Sequence, residues 1–189
     1  SLMSRELRRH GIQVTLADES GWDEALNEQT SMLYVESISN PTMRVGALRE
    51  AVEFARNHQL ISVVDNTFAS PVNVRPAALG FDITLHSATK YLNGHSDVVA
   101  GAIAGRAALI ETLGQRLNLY GATLDPNAAW LLQRGLKTLG LRVRRQNETA
   151  LAMAGRLAEH PEVQSVSYPG LATHPDYERA SSLFEGSGG

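Results

Sequence analysis

The sequence predicts an α/β protein with a mostly parallel sheet. Short apolar or β-branched runs at Met32–Val35, Leu60–Val64, Ile83–His86 and Val98–Ala104 alternate with segments of helical periodicity. These runs are near-continuous in apolar character, as strands covered on both faces are. Residues 2–10 carry Arg and Glu at helical spacing and predict a first helix. Ile12–Leu16 alternate like a strand, and Trp22–Asn27 suit a short helix with Ser20 as its cap. Met32–Val35 follow as a strand. Val45–His58 set Leu48, Val52 and Ala55 on one stripe, with Glu50, Glu53 and Arg56 outside it.

The pattern changes after Tyr120-Gly121-Ala122-Thr123-Leu124-Asp125. Asp125 can cap a helix that has Pro126 at its first position and runs to about Leu139. Leu141–His160 form a long amphipathic helix rich in Arg and Ala, ended by His160-Pro161. Val163–Tyr168 predict another strand, and His174-Pro175-Asp176 open a last helix. A boundary falls near 140, dividing the chain into 1–140 and 141–189.

Composition excludes several classes. The chain has 189 residues, 43% of them hydrophobic and 20% charged, as soluble globular proteins do. A net charge of −3 offers no electrostatic case for nucleic acid or an anionic membrane. No apolar run approaches the roughly 18–20 residues of a membrane-spanning helix, and the start lacks the apolar stretch of a signal peptide. Cysteine is absent, which rules out disulfides and thiolate catalysis. A cytoplasmic enzyme fits these facts.

The chemistry centres on two strand ends. Lys90 follows Phe81-Asp82-Ile83-Thr84-Leu85-His86 within Ser87-Ala88-Thr89-Lys90-Tyr91-Leu92-Asn93-Gly94-His95-Ser96-Asp97. A lysine there suits a Schiff base with a carbonyl cofactor. The hydroxyls of Ser87 and Thr89 suit a phosphate, or simply a turn. Asp65 closes Ile61-Ser62-Val63-Val64. Ligands of α/β sheets lie beyond the carboxyl ends of the strands. An aspartate there can keep a pyridinium nitrogen protonated; alone, it also suits an Asx turn.

Asp65-Asn66-Thr67-Phe68-Ala69-Ser70-Pro71 and the run from His86 to Gly101 together resemble the Cys/Met-metabolism family of pyridoxal-phosphate (PLP) enzymes, of the cystathionine synthase and lyase or methionine γ-lyase type. Val35-Glu36-Ser37-Ile38-Ser39-Asn40-Pro41, Gln133–Leu139 and Ser167-Tyr168-Pro169-Gly170-Leu171 extend the resemblance over nearly the whole chain. It implies the large domain of fold-type I PLP-dependent transferases over 1–140. The start of a smaller α+β C-terminal domain would follow over 141–189. It implies pyridoxal 5′-phosphate as cofactor, bound covalently by Lys90, with Asp65 on the ring nitrogen, Ser87 and Thr89 on the phosphate and Asn40 near the phenolic oxygen. Lys90 would also move substrate protons, a role that requires its ammonium to release a proton readily. The reaction implied is β- or γ-elimination or γ-replacement on sulfur-containing or O-acylated amino acids. The partners implied are an amino-acid substrate and further copies of the chain, as a dimer of dimers. By the same resemblance, the chain is an internal segment of a longer enzyme and lacks the phosphate loop, the stacking tyrosine and the carboxylate-binding arginine.

Other residues have plainer readings. His95 and Asp97 have no third ligand nearby, so no metal site is expected. His86 is expected to pack or hydrogen-bond in the core, and Trp130 to be core or interface. Arg134, Lys137, Arg142, Arg144 and Arg145 predict a solvated or inter-subunit helix face. Two alternatives stand beside the main reading. One is a catalytically incompetent fragment of such an enzyme. The other is a phosphatase-like hydrolase with Asp65 as nucleophile, disfavoured because Asn66-Thr67 stand where a second aspartate is needed.

Overall fold

A computed structural model describes residues 6–188. They form two compact units, one up to Ser31 and one from Met32 onward. The first unit holds helix α1 (Leu7–Arg9), a 3-10 turn at Glu19–Gly21 and helix α2 (Trp22–Ala25). Residues 2–5 of the expected first helix lie outside the described residues. Asp18, rather than Ser20, caps the turn: its carboxylate accepts from the Gly21 N–H at 3.1 Å and from the Ser20 hydroxyl at 2.9 Å. Ile12–Leu16 form no strand. Among the described residues of their unit there is no strand to complete a ladder, and alternation alone leaves the backbone groups unpaired.

The second unit is built on strands β1 (Met32–Glu36), β2 (Ile61–Asp65), β3 (Ile83–Ser87) and β4 (Gly101–Gly105), in that spatial order. β1 pairs β2, and β2 pairs β3, in parallel; β4 runs antiparallel to β3. The sheet is therefore mostly parallel, as the sequence predicts. The first three strands each extend one residue past their predicted end. Glu36, Asp65 and Ser87 are thus the terminal strand residues.

Helix α3 (Leu48–Asn57) links β1 to β2 and buries Leu48, Ala51, Val52 and Ala55 against them. Two short helices, α4 (Ser70–Asn73) and α5 (Pro76–Leu79), precede β3. Helix α6 (Ala107–Tyr120) follows β4, where the sequence reading placed no element. Helix α7 (Pro126–Leu136) starts as predicted: Asp125 accepts from the Asn127 and Ala128 N–H groups at 2.9 and 3.1 Å. Helix α8 (Leu139–Ala158) and helix α9 (Tyr177–Leu183) complete the unit. Val163–Tyr168 is irregular and not the expected strand; no described strand lies beside it. Tyr168 anchors it instead, donating its hydroxyl to the Gly188 carbonyl at 2.7 Å.

Candidate active site

Asp65 ends β2 in register with Glu36 of β1 and Leu85 of β3. Parallel register and strand alternation place Tyr34, Glu36 and Asp65 on one face. The Tyr34 hydroxyl donates to Asp65 Oδ2 at 3.3 Å, and the Thr67 N–H donates to Oδ1 at 2.9 Å. Ser37 holds the main chain there, donating its N–H and its hydroxyl to the Asp65 carbonyl at 2.9 and 3.2 Å. The half-buried Asp65 carboxylate thus has two neutral donors and no lysine or arginine partner among the described residues. Burial, and then the Asp65 charge, push the Glu36 carboxyl and the Tyr34 phenol upward. The Asn40 backbone N–H opposes the Glu36 shift. Asn40 therefore meets the cluster through its backbone, while the residue itself is exposed.

Thr67 joins this cluster to the lysine turn. Its hydroxyl accepts from the Ser87 N–H at 2.7 Å. Beyond Ser87 the chain coils tightly: the Lys90 N–H reaches the Ser87 carbonyl at 3.0 Å, and the Gly94 N–H reaches the Lys90 carbonyl at 2.8 Å. Lys90 is exposed, and neither its amine nor the Ser87 hydroxyl has a partner among the described residues. Thr89 differs. Its hydroxyl accepts from the Ala100 N–H at 2.9 Å and donates to the Ala100 carbonyl at 3.3 Å, which commits its single proton. His86 is half-buried, as expected of a packed residue. Burial lowers its basicity, against the pull of Asp65 and the Asn66 backbone.

The expected cationic helix face divides. Arg142 turns inward and donates to the Tyr91 carbonyl at 3.0 Å and the Gly135 carbonyl at 2.8 Å. Arg134 donates to Asp97 Oδ2 at 2.6 Å, and its guanidinium carbon lies 5.7 Å from the centre of the Trp130 ring. Lys137, Arg144 and Arg145 are exposed. Trp130 is 58% exposed and so is not a core residue of this chain. Asp97 also accepts from the Asn93 amide at 2.8 Å, and His95 Nδ1 lies 2.7 Å from the Asn93 carbonyl.

The structure therefore joins Asp65 to Ser87 through Thr67, and puts Ser87, Thr89 and Lys90 in one turn. Tyr34, Glu36, Thr67 and Arg142 are additions that sequence reasoning missed. Strand register exposes the first two, because they share a face with the register partner of Asp65. The donor set suits PLP: an uncompensated carboxylate for a cationic ring nitrogen, an unpartnered amine and an unpartnered hydroxyl. A groove of about 460 Å3 along α8 between Arg145 and Leu157 does not touch these residues. Neither does a hollow of about 570 Å3 lined by Arg8 and residues 11–15.

Comparison with known proteins agrees. The family model described as Cys/Met metabolism PLP-dependent enzyme matches residues 1–189. Cystathionine gamma-synthase 1, chloroplastic, of Arabidopsis thaliana is 42% identical over 191 residues, covering 99% of this chain and 34% of that protein. Cystathionine beta-lyase of Coxiella burnetii is 44% identical over 178 residues, covering 93% of this chain and 46% of that one. The crystal structure of cystathionine gamma-lyase from Lactobacillus plantarum complexed with L-serine superposes with a TM-score of 0.95 at 37% identity, over 99% of this chain and 50% of that one. The chain spans 34% of the Arabidopsis relative and 60% of a probable cystathionine gamma-synthase of Herpetosiphon aurantiacus. On the match along its whole length, together with a mostly parallel sheet whose strand ends carry Asp65 and Ser87, this chain belongs to the Cys/Met-metabolism family of PLP-dependent enzymes.

Proposed function

We propose that this chain supplies the cofactor-binding part of a PLP-dependent trans-sulfuration enzyme. That enzyme acts on amino acids bearing a sulfur or O-acyl leaving group at Cβ or Cγ. One observation carries the reading beyond family membership: a half-buried Asp65 carboxylate, held by Tyr34 and Thr67 without a cation, is linked through Thr67 to the turn that presents Lys90.

When bound, PLP supplies an electron sink for the pair left as a proton departs the substrate α carbon. Asp65 would accept the ring N–H and so keep that nitrogen protonated. Tyr34 and the Thr67 N–H hold the carboxylate in place for this, so little reorganisation accompanies the reaction. Lys90 would hold the cofactor through Nζ; once the substrate amine has displaced it, its free amine would take the substrate α proton at Nζ and return it at the adjacent carbons. Ser87 would donate its hydroxyl to the phosphate. Thr89 would join it by rotating its proton away from the Ala100 carbonyl. Asn40 would stand near the phenolic oxygen.

Residues 1–140 are assigned to the large domain and 141–189 to the start of the second. Assembly as a dimer of dimers and a cytoplasmic location complete the proposal. The first is carried by the resemblance, and light scattering of the full-length protein tests it. No helix among the described residues is long and apolar enough to cross a membrane.

The test is turnover by the full-length protein with cystathionine, methionine, or O-acyl-homoserine plus a thiol. Release of an α-keto acid, or formation of a thioether, from at least one of them is expected, together with a yellow colour that borohydride bleaches. A colourless protein inert to all of them, with PLP supplied, contradicts the proposal. Magnesium-dependent phosphatase activity would instead favour the Asp65 nucleophile.

A further inference from the structure

We propose that Arg142 is a positioning residue for Lys90: from the first turn of α8 it grips the main-chain carbonyls of the turn that carries the lysine. The inference rests on the reading of Lys90 given above. Its grip is extensive. Nη1 donates to the Tyr91 carbonyl at 3.0 Å, and Nη2 donates to the Leu92 carbonyl at 3.4 Å and the Gly135 carbonyl at 2.8 Å. Nε donates to the Thr138 hydroxyl at 3.0 Å. The Tyr91 and Leu92 carbonyls stand one and two residues past Lys90. A turn's last carbonyls have no partner within the turn and must be met from outside. A guanidinium meets several at once because its donors form a rigid planar fork.

Packing supports the same role. Leu139 and Val143 flank Arg142 on one face of α8 and form a buried cluster with Ala88 and Leu92 of the lysine turn. Apolar and polar contacts from α8 therefore converge on the residues around Lys90. The approach is close enough to restrict side chains. A Cβ at Gly94, where φ is +68°, would run into the Arg142 guanidinium, and one at Gly135 would run into the Asn93 carbonyl oxygen. A second tie lies at the far end of the loop, where Arg134 holds Asp97 and Asp97 holds the Asn93 amide. Arg142 makes no ion pair among the described residues; its donors tie the Tyr91 and Leu92 carbonyls of the turn to Gly135 of α7 and Thr138 before α8. Burial lowers its basicity, in keeping with that placement.

The consequence falls on the lysine. With the carbonyls released, the turn that carries Lys90 loses two of its outside supports. Small misplacements of a reacting group are costly, up to roughly a hundredfold for about 1 Å.

The experiment compares the full-length protein with Arg142→Ala and Arg142→Lys. The first readout is amide hydrogen exchange over residues 88–97 without cofactor. The second is the rate at which added PLP becomes borohydride-trappable on Lys90, with and without methylguanidinium. Arg142→Ala should exchange faster over 88–97 while the β1–β3 strands keep their protection. Trapping should slow by roughly ten- to hundredfold, the range of hydrogen bonds to a charged group. Methylguanidinium should restore part of that rate, and Arg142→Lys should fall between, since one ammonium cannot reproduce the fork. Wild-type exchange and trapping in Arg142→Ala would overturn the proposal. So would slowed trapping that methylguanidinium leaves unchanged. If Arg142→Ala does not fold, a folded Arg142→Lys with wild-type exchange and trapping overturns it equally. A wild-type protein that takes no label on Lys90 contradicts the reading of the lysine, while the exchange comparison still decides the clamp.

Discussion

Among the described residues the Asp65 carboxylate meets neutral donors alone: a phenol at 3.3 Å and a peptide N–H at 2.9 Å. In the proposed function its charge would answer a protonated ring nitrogen of the cofactor. Replacing Asp65 by Ala should therefore lower kcat of the full-length protein by at least one to two decades, since a charge-assisted hydrogen bond contributes about 1.5–3 kcal/mol. The melting temperature should move by only a few degrees, because no ion pair is broken. Near-normal kcat in Asp65→Ala, measured by keto-acid release, would refute the role. Tyr34→Phe should cost less, roughly three- to tenfold, as removal of a neutral hydrogen bond does. A loss as large as that of Asp65→Ala would show that the hydroxyl does more than hold the carboxylate. Lys90 and Asp65 stand out in the sequence because one follows an apolar strand run and the other ends one. Tyr34, Thr67 and Arg142 do not, because their roles come from pairings 31, 20 and 51 residues apart in the sequence. The helical spacing of Arg134, Lys137 and Arg142 says nothing about which of them faces a turn.

At the scale of elements, the sheet and helices α3, α7 and α8 were legible from periodicity and caps. Asp125-Pro126 fixed the start of α7, and the β-branched run at 61–64 fixed β2. Ile12–Leu16 and Val163–Tyr168 carry strand-like patterns but have no strand beside them among the described residues, which sequence alternation cannot report. Helix α6 escaped notice because none of its residues is buried, so no sharp apolar stripe marks it. The loop that carries Asn40 is tied to the segment before α9. Arg44 donates to both Asp176 oxygens at 2.6 and 2.9 Å, and the Val45 N–H donates to Oδ2 at 2.9 Å. The Asp176 N–H in turn donates to His174 Nδ1 at 3.1 Å. Burial holds the His174 imidazole below its ordinary value of 6.5, against the pull of Asp176. The folded value lies below the unfolded one. The neutral ring therefore contributes its full stability above pH 6.5 and loses it as pH falls from there through the folded value. His86 is lowered in the same sense. The hydrogen bond from Arg44 depresses Asp176 below 3.8, so its contribution is complete above that pH and disappears as acid titrates the folded carboxyl. Urea midpoints should fall as pH drops below 6.5, and His174→Gln should flatten that fall without abolishing it, because His86 remains. An unchanged slope in His174→Gln would remove His174 from the account.

Over the whole molecule, the candidate residues stand open at the strand ends, with Lys90 exposed. Large apolar side chains are also exposed along α6, α7 and α8, among them Leu119, Tyr120, Trp130, Leu141 and Met153. Catalysis that depends on positioning needs the site closed around the substrate, a contribution of roughly 7–11 kcal/mol where geometry is ideal. The 189-residue chain by itself should therefore turn over far more slowly than its full-length relatives and should self-associate through its apolar surface. Turnover at a relative's rate by a monodisperse 189-residue chain would contradict both expectations. The central claim is narrower: Lys90 is the amine that takes the cofactor. Lys137 is the only other lysine in the 189-residue sequence, so it is the internal comparison. The direct measurement is borohydride reduction of the full-length protein loaded with PLP, followed by peptide mapping by mass spectrometry. The account predicts the label on the Ser87–Tyr91 segment at Lys90, and its loss in Lys90→Ala. A label on Lys137, or an undiminished label in Lys90→Ala, would contradict it.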